Sequence, residues 1–519
     1  MDPATLSTCT TLGCLDDIMP DIDLPMILSF ACPTTHYAIT EQNLRRSFTE
    51  LLGKSPWLRG YIHSNVTGLD EHYRKGTKLF SHIPDLSSNV KNKEDAERIE
   101  FQDLSSHTTY KGKTYPELVA ENMPASYLSP ELLVPNRATK DANVKYALQA
   151  KVSFIREGVF IVLSTSHALM DATSLAAIFG AWAALSRGEE PTPLSHSPVL
   201  GPELDFRGRS GKQTMATEES NSSDCRGEKS CMQATYEALK VQKHLWHMMG
   251  LDYRPKEMSS AVLAQRVPSR STVTKIFKIT AAALARLKVD CSIPNGSEDH
   301  GQERGWISTN DALSALLWRC IVRARIAATP DLRTRTSSVM CAMDMRNSPV
   351  LAPRATQTAD EAGMARAKLA NIVLYSIERA LVPELVESSS LSDTARGIRT
   401  AMQKYTESSH VSRALQLAAA IPDVSALGLV YPTWLEHDVV ISSLARLPLY
   451  NTPWGDTFGD EGNGVPDIVR WPERVFEGVT FVMPRRRDGS VEIVLTMGTA
   501  DMKEMDRDKE WSSYAENVA

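Results

Sequence analysis

Residues 164–174 read STSHALMDATS, between the apolar run GVFIVLST (158–165) and the helix-like stretch SLAAIFGAWAAL (174–185). Its two neighbours decide how it is read. The unbroken apolar run suits a strand buried on both faces. After it, Leu175, Ile178, Phe179, Trp182 and Leu185 recur at i, i+3, i+4, i+7 and i+10, the stripe of an amphipathic helix. Asp171, Thr173 and Ser174 all offer caps for its start. His167 thus stands where a buried strand ends and a helix begins, held by rigid backbone yet projecting above the strand end. That placement suits a general base, since a neutral imidazole with a pKa near ~6.5 takes a proton from an attacking alcohol or amine. Asp171, at the helix start, is favoured by the free N–H groups and is better placed to lock the turn than to react. The i, i+4 spacing of the two would also suit metal ligation. With the helix starting only at Asp171 and no third ligand near, no metal is expected.

Working outward, NVKYALQAKVSFIREGVFIVLST (143–165) reads as two strands joined at Arg156 to Gly158, the first alternating enough to leave one face exposed. STNDALSALLWRCIVRARI (308–326) opens on good capping residues and carries a leucine stripe, a second helix. Near the C-terminus, VFEGVTFVMP and SVEIVLTM flank RRRDG and predict a hairpin. Residues 189–232 are rich in Pro, Ser, Gly and charge, and cannot bury enough apolar area to offset their ordering entropy. The expected division is an N-terminal domain over 1–205, a flexible linker over 206–231 and a C-terminal domain over 232–519. CSIPNGSEDHGQERG (291–305) reads as a surface loop. Interleaved helices and strands in both halves predict an α/β (α+β) fold in two layered units.

Composition narrows the function classes. With 519 residues, the chain is long enough for more than one core. The 42% hydrophobic and 23% charged residues are those of an ordinary globular protein. A net charge of -6 argues against nucleic acid as partner. No signal-like N-terminus and no run of 18 apolar residues is present, so a soluble, cytoplasmic protein without a membrane partner is expected. The eight cysteines form no CxxC, so reduced structural thiols are expected. His244 and His247 fit a solvated helix face. GRSGK (208–212) lacks the final glycine of a nucleophile elbow, and there is neither a phosphate-binding GxxxxGK[ST] nor a strand-linked GxGxxG.

Taken together, LGCLDDIMP (12–20), LRRSFTELLGKSPWLRGYI (44–62), MPASYLSPELLVP (123–135), HALMD (167–171), STNDALSALLWR (308–319) and DMR (344–346) resemble, in this order and spacing, the HxxxD-type or BAHD acyltransferases, and among them the fungal branch. The resemblance implies two similar domains of the chloramphenicol acetyltransferase type with a channel between them, His167 at its middle, CoA entering from one face and the acceptor from the other. It implies a monomeric CoA-dependent O-acyltransferase, acetyl by default, acting on a hydroxyl of a bulky secondary metabolite. Acyl-CoA is then a co-substrate, with no permanently bound cofactor and no acyl-enzyme. An N-acyltransferase, a condensation-type enzyme with a carrier-protein donor, and a silent binding protein of the same fold stay open.

The family's second motif, DFGWG, departs. Aligned on Tyr450, Pro453, Trp454 and Gly455 stand where Asp, Phe and Gly are expected. Because the motif Asp pairs in the family with the arginine that matches Arg346, either Asp456 or Asp460 is expected to substitute after a local shift, or Arg346 to find another carboxylate. Leu444 also replaces a tryptophan. Ser442 and Ser443 are candidate donors to the oxyanion, and Trp454 and Gly455 candidate substrate contacts.

Overall fold

The computed structural model describes residues 9–519 apart from 65, 67–68, 70–72, 82–96, 197–223, 254–270, 293–305, 352–366, 430–436, 460–463 and 473–476; of 224–230, 252–253 and 429 it describes the backbone alone. Most of the expected linker and surface loop, and Asp460, therefore lie outside the described residues. Among the described residues no helix is long and apolar enough to cross a membrane, and the described cysteines are free thiols.

The N-terminal half opens with a short helix α1 (Cys14–Ile18), strand β1 (Asp23–Ala31) and helix α2 (Tyr37–Lys54). Strands β2 (Ile99–Asp103), β3 (Leu148–Ile155) and β4 (Gly158–Ser166) follow, then helix α3 (Ala172–Ser186) and the short strand β5 (Leu194–His196). The predicted pair of strands is the β3–β4 hairpin, turning at Glu157 with φ of 62°. β4 lies between β1 and β3 with every residue buried, as its apolar run requires. β3 departs from expectation, because its polar face is also covered. Gln102 of β2 donates to Ser153 Oγ at 2.7 Å and to the Leu132 carbonyl at 2.8 Å, so the covered groups keep partners. The α3 stripe packs on α2 through Trp182 against Phe48 at 4.8 Å, and Trp182 Nε1 donates to Ser47 Oγ at 3.0 Å. Burial extends beyond the stripe to Ala176, Ala181, Ala183 and Ala184, whose small side chains let neighbours close in on other sides.

The C-terminal half contains helices α4 (Asp224–Leu239) and α5 (Lys243–Met248), strand β6 (Thr272–Ile279) and helix α6 (Thr309–Ala328). Beyond them come β7 (Thr336–Asp344), β8 (Ala367–Leu369), β9 (Val373–Leu381), helix α7 (Ser408–Ala420), β10 (Val439–Ser443), β11 (Ile468–Arg470), β12 (Val479–Val482), β13 (Val491–Gly498) and β14 (Glu516–Asn517). Seven of these strands form one sheet in the order β9-β7-β10-β12-β13-β6-β14, with β7, β10 and β12 parallel. α6 starts on the predicted cap: Asp311 N–H donates to Ser308 Oγ at 3.1 Å and Ser308 N–H to Asp311 Oδ2 at 2.6 Å. The predicted hairpin is β12–β13, with Thr480 opposite Leu495. His244 and His247 are half-buried rather than solvated. His247 Nδ1 lies 2.8 Å from Arg379 Nη2 of β9, and the His244 ring meets His410 of α7.

The two halves exchange segments. β11 leaves the C-terminal half and pairs with β1, giving the first sheet the order β11-β1-β4-β3-β2. β8 pairs in parallel with β5, and Cys14, Leu15 and Ile18 of α1 pack into the apolar cluster under β7, β9 and α7. A single cut in the linker therefore does not separate the two layers.

Candidate active site

β4 delivers His167 directly. Its backbone N–H donates to the Ile22 carbonyl at 2.9 Å. Just before it, Ser166 Oγ donates to Asp21 Oδ1 at 2.7 Å and accepts from Ala168 N–H at 3.1 Å. Four residues on, Asp171 caps α3, its Oδ1 accepting from Ser174 N–H at 2.9 Å. The turn is thus pinned on both sides, while the imidazole itself stays half-buried.

The Asp171 carboxylate is fully engaged. Arg346, just past the end of β7, grips it in a fork: Nη1 to Oδ2 and Nη2 to Oδ1, both 2.9 Å. Ile372 N–H adds a 3.1 Å bond to Oδ2, and Ser174 Oγ lies 3.1 Å from Oδ1. Asp171 is 2% exposed, so the paired geometry matters: a forked, charge-assisted pair offsets desolvation that a single contact would not. Burial works against the Arg346 cation, but Asp171 and Asp344 outweigh it and hold its pKa above the ordinary value. Of the expected partners, Asp456 does not pair with Arg346, and the alternative of another carboxylate is the one found. The arginine's carboxylates are Asp171 and Asp344, the latter at 3.1 Å.

Two residues that the spacing arguments missed complete the site. Asn371, between β8 and β9, is fully buried. Its Nδ2 donates to the His167 carbonyl at 2.7 Å and to Asp16 Oδ1 at 3.0 Å, its backbone N–H donates to the same Oδ1 at 2.8 Å, and its Oδ1 lies 3.1 Å from His167 Nδ1. A backbone carbonyl can only accept, so the Asn371 amide that donates to it cannot be turned over. His167 Nδ1 therefore carries the hydrogen, and Nε2 keeps its lone pair. Asp16 was visible only as one carboxylate of the LGCLDDIMP segment, and Asn371 as a polar residue inside the run LANIVLY; neither carries a spacing that points to His167.

The other candidates divide. Ser442 and Ser443 end β10, beside Phe481 and Val482 of β12. Side chains alternate along a strand. Ser442 therefore shares the face of Val440, in the cluster that holds Met343, Met345 and Ile372, whereas Ser443 faces the α6 side with Ile441. Trp454 is not a substrate contact. It is 0% exposed, wedged between Phe30 at 5.8 Å and Trp182 at 5.3 Å in the core of the N-terminal half. Gly455, at φ of 60°, lies where a Cβ would come within 3.0 Å of Arg187, and Asp456 sits in the same short turn, Gly455–Phe458. Arg187 donates to the Pro453 carbonyl. This loop thus grips the C-terminal end of α3, about 22 Å of helix (15 residues at ~1.5 Å each) from Asp171.

A histidine on a strand end is thus oriented by an amide from the other half, and its turn is locked by a forked arginine. The chain belongs to the Transferase family, whose model matches residues 119–512. It is 25% identical over 521 residues to an eremophilane O-acetyltransferase of Penicillium roqueforti, covering 96% of this chain and 97% of the relative. To the trichothecene 3-O-acetyltransferase TRI101 of Fusarium sporotrichioides it is 23% identical over 495 residues, covering 93% and 91%. The crystal structure of that acetyltransferase, complexed with coenzyme A and T-2, superposes with a TM-score of 0.67 at 20% identity over 98% of this chain and 100% of that one. The fold is thereby that of this acetyltransferase.

Proposed function

We propose that this chain is a CoA-dependent O-acyltransferase, acetyl-CoA its default donor, acting on a hydroxyl of a bulky, mostly apolar secondary metabolite as a soluble cytoplasmic monomer. The observation that supports the reading is the 3.1 Å contact between His167 Nδ1 and Asn371 Oδ1, which favours a hydrogen on Nδ1 and leaves Nε2 to act as the base. Nε2 takes the proton of the acceptor hydroxyl as its oxygen attacks the thioester carbonyl. The tetrahedral intermediate then breaks its C–S bond, and the same proton passes to the departing CoA sulfur. Proton balance closes on one nitrogen, so no acyl-enzyme is needed. Base catalysis of this kind contributes about 10²- to 10⁴-fold, and holding both substrates at one junction supplies the effective concentration. Ser442, on the site's face of β10, is the donor we assign to the oxyanion. The names of the relatives, O-acetyltransferases of eremophilanes and trichothecenes, support the choice of acceptor class and acetyl donor.

The test is thiol release from acetyl-CoA and longer acyl-CoAs with a panel of terpenoid alcohols and matched amines. Acceptor-dependent release that disappears in a folded His167→Ala protein is expected. Activity of that variant above a few per cent would remove His167 from the role of base; release only with amines would make the chain an N-acyltransferase.

A further inference from the structure

Asp16 has no part in the proton transfer as written, yet it is wholly buried one residue behind the base. Its Oδ1 accepts from the backbone N–H and the Nδ2 of Asn371, at 2.8 and 3.0 Å, while its Oδ2 finds no hydrogen-bond partner among the described residues. One oxygen is thus committed to orienting the amide and the other is bare, a costly arrangement for a buried carboxylate. We infer that Asp16 is a positioning residue: through Asn371 it holds His167 in the Nε2-basic tautomer, and its ionised form is the one that supports transfer. This rests on reading His167 as the base.

The charge logic is short. When Nε2 takes the acceptor's proton, His167 becomes an imidazolium whose Nδ1–H points at Asn371 Oδ1. An anion on Asp16 polarises that amide toward the cation; a neutral Asp16, protonated on its bare Oδ2, does not. Burial pushes the Asp16 carboxyl up to about 7, against the pull of the Asn371 hydrogen bonds and with help from the nearby Asp171 carboxylate. The other charged groups around it are paired. Asp171 is tied to Arg346, and Arg346 also to Asp344. Asp17 is held by Arg74 at 2.7 Å with Lys78 beside it, and Asp21 by Lys145 at 3.1 Å with Arg137 at 3.5 Å. Burial pushes the Cys14 thiol up to about 12, so it remains neutral. Asp16 is then the carboxyl whose charge changes near neutral pH.

The test uses the full chain and the isosteric variant Asp16→Asn, with two readouts. In the first, diethyl pyrocarbonate modification of the His167 peptide is followed by mass spectrometry from pH 5 to 8, since only the neutral imidazole reacts. Loss of the Asp16 charge is expected to move the His167 midpoint down by about one pKa unit, a tenfold change in its proton affinity. Superimposable curves overturn the inference. In the second, kcat of Asp16→Asn is expected to fall about tenfold, with KM for acetyl-CoA within twofold and the acid limb of kcat/KM displaced; an unchanged kcat and pH profile overturns it. Should Asp16→Asn fail to fold, Asn371→Ala breaks the same link from the other side and is expected to shift the His167 midpoint likewise, and an unmoved midpoint there overturns the proposal. Modification needs no turnover, so a wild-type protein that releases no thiol would sink the proposed reaction and still leave this link tested.

Discussion

Helix α3 is held at both ends by segments from the C-terminal half, and the two ends are built from opposite chemistry. At its N-terminus, Asp171 meets Arg346 in a forked ion pair, with Asn371 alongside on the His167 ring. At its C-terminus, Trp454 and Phe458 pack against Phe30 and Trp182, and the polar contacts are mostly neutral: Asn43 Nδ2 to Thr457 Oγ1 at 2.9 Å, and Thr457 Oγ1 to the Trp454 carbonyl at 2.7 Å. The first end positions the His167 ring; the second clamps the two layers together. The difference teaches why the altered second motif is tolerable here. Pro453 replaces an aspartate in a loop that this chain anchors by aromatic burial and backbone carbonyls, while the arginine thought to need that aspartate is satisfied by Asp171.

The sharpest way to break the contrast is Arg346→Ala. It leaves Asp171 buried without its partner, which costs about 3–5 kcal/mol, and transfer is expected to vanish along with the turn geometry; a melt and an assay on the same sample check both. Adding Asp171→Asn to it should recover part of the stability but not the activity. Next in size, Ser442→Ala is expected to lower kcat by about 10²-fold if its hydroxyl meets the oxyanion, with Ser443→Ala near wild type because that side chain faces α6. Equal effects of the two would cancel the assignment by strand face. At the other end of the helix, Trp454→Ala should cost about 3–5 kcal/mol through cavity formation, yet kcat per folded molecule should stay within a few-fold. A large loss of kcat with normal stability would put the loop in the site after all. Arg187→Ala, removing the bond to the Pro453 carbonyl, is worth about 1 kcal/mol, and Asp456→Asn should change neither quantity.

Stability against pH sharpens the same picture from inside. The folded state holds a proton on Asp16 that the unfolded chain releases near 3.8, because burial lifts the folded value to about 7. The folded state therefore binds more protons across that window, so this group's contribution falls as pH rises from about 4 to 7. Asp16→Asn has no such titration. Its melting temperature relative to wild type should climb between pH 4.5 and 8, and a constant difference would mean that Asp16 is ionised throughout.

Much of this was legible from local pattern. The β3–β4 hairpin, α3 with Asp171 at its cap and α6 with its Ser308 box follow from apolar period and capping chemistry, which act within a few residues. Local pattern failed where neighbours distant in sequence decide the matter. The polar side of β3 reads as solvated, but Gln102 and Leu132 cover it. Trp454 reads as a substrate contact because tryptophans serve that purpose as readily as core packing, and only its burial between Phe30 and Trp182 chooses.

What the chain determines by itself is the placement of His167: an apolar strand must be buried, a capped amphipathic helix must follow, and the residue between them has nowhere else to go. Which side chain meets the ring of that histidine was decided only by the tertiary structure. Asp16, His167 and Asn371 lie hundreds of residues apart from first to last, and β8, paired with β5, brings Asn371 to the end of β4. A hydrogen bond between side chains so far apart leaves no periodic trace in a sequence, because its energy depends on three-dimensional proximity and on the exclusion of water, and neither exists until both layers have packed.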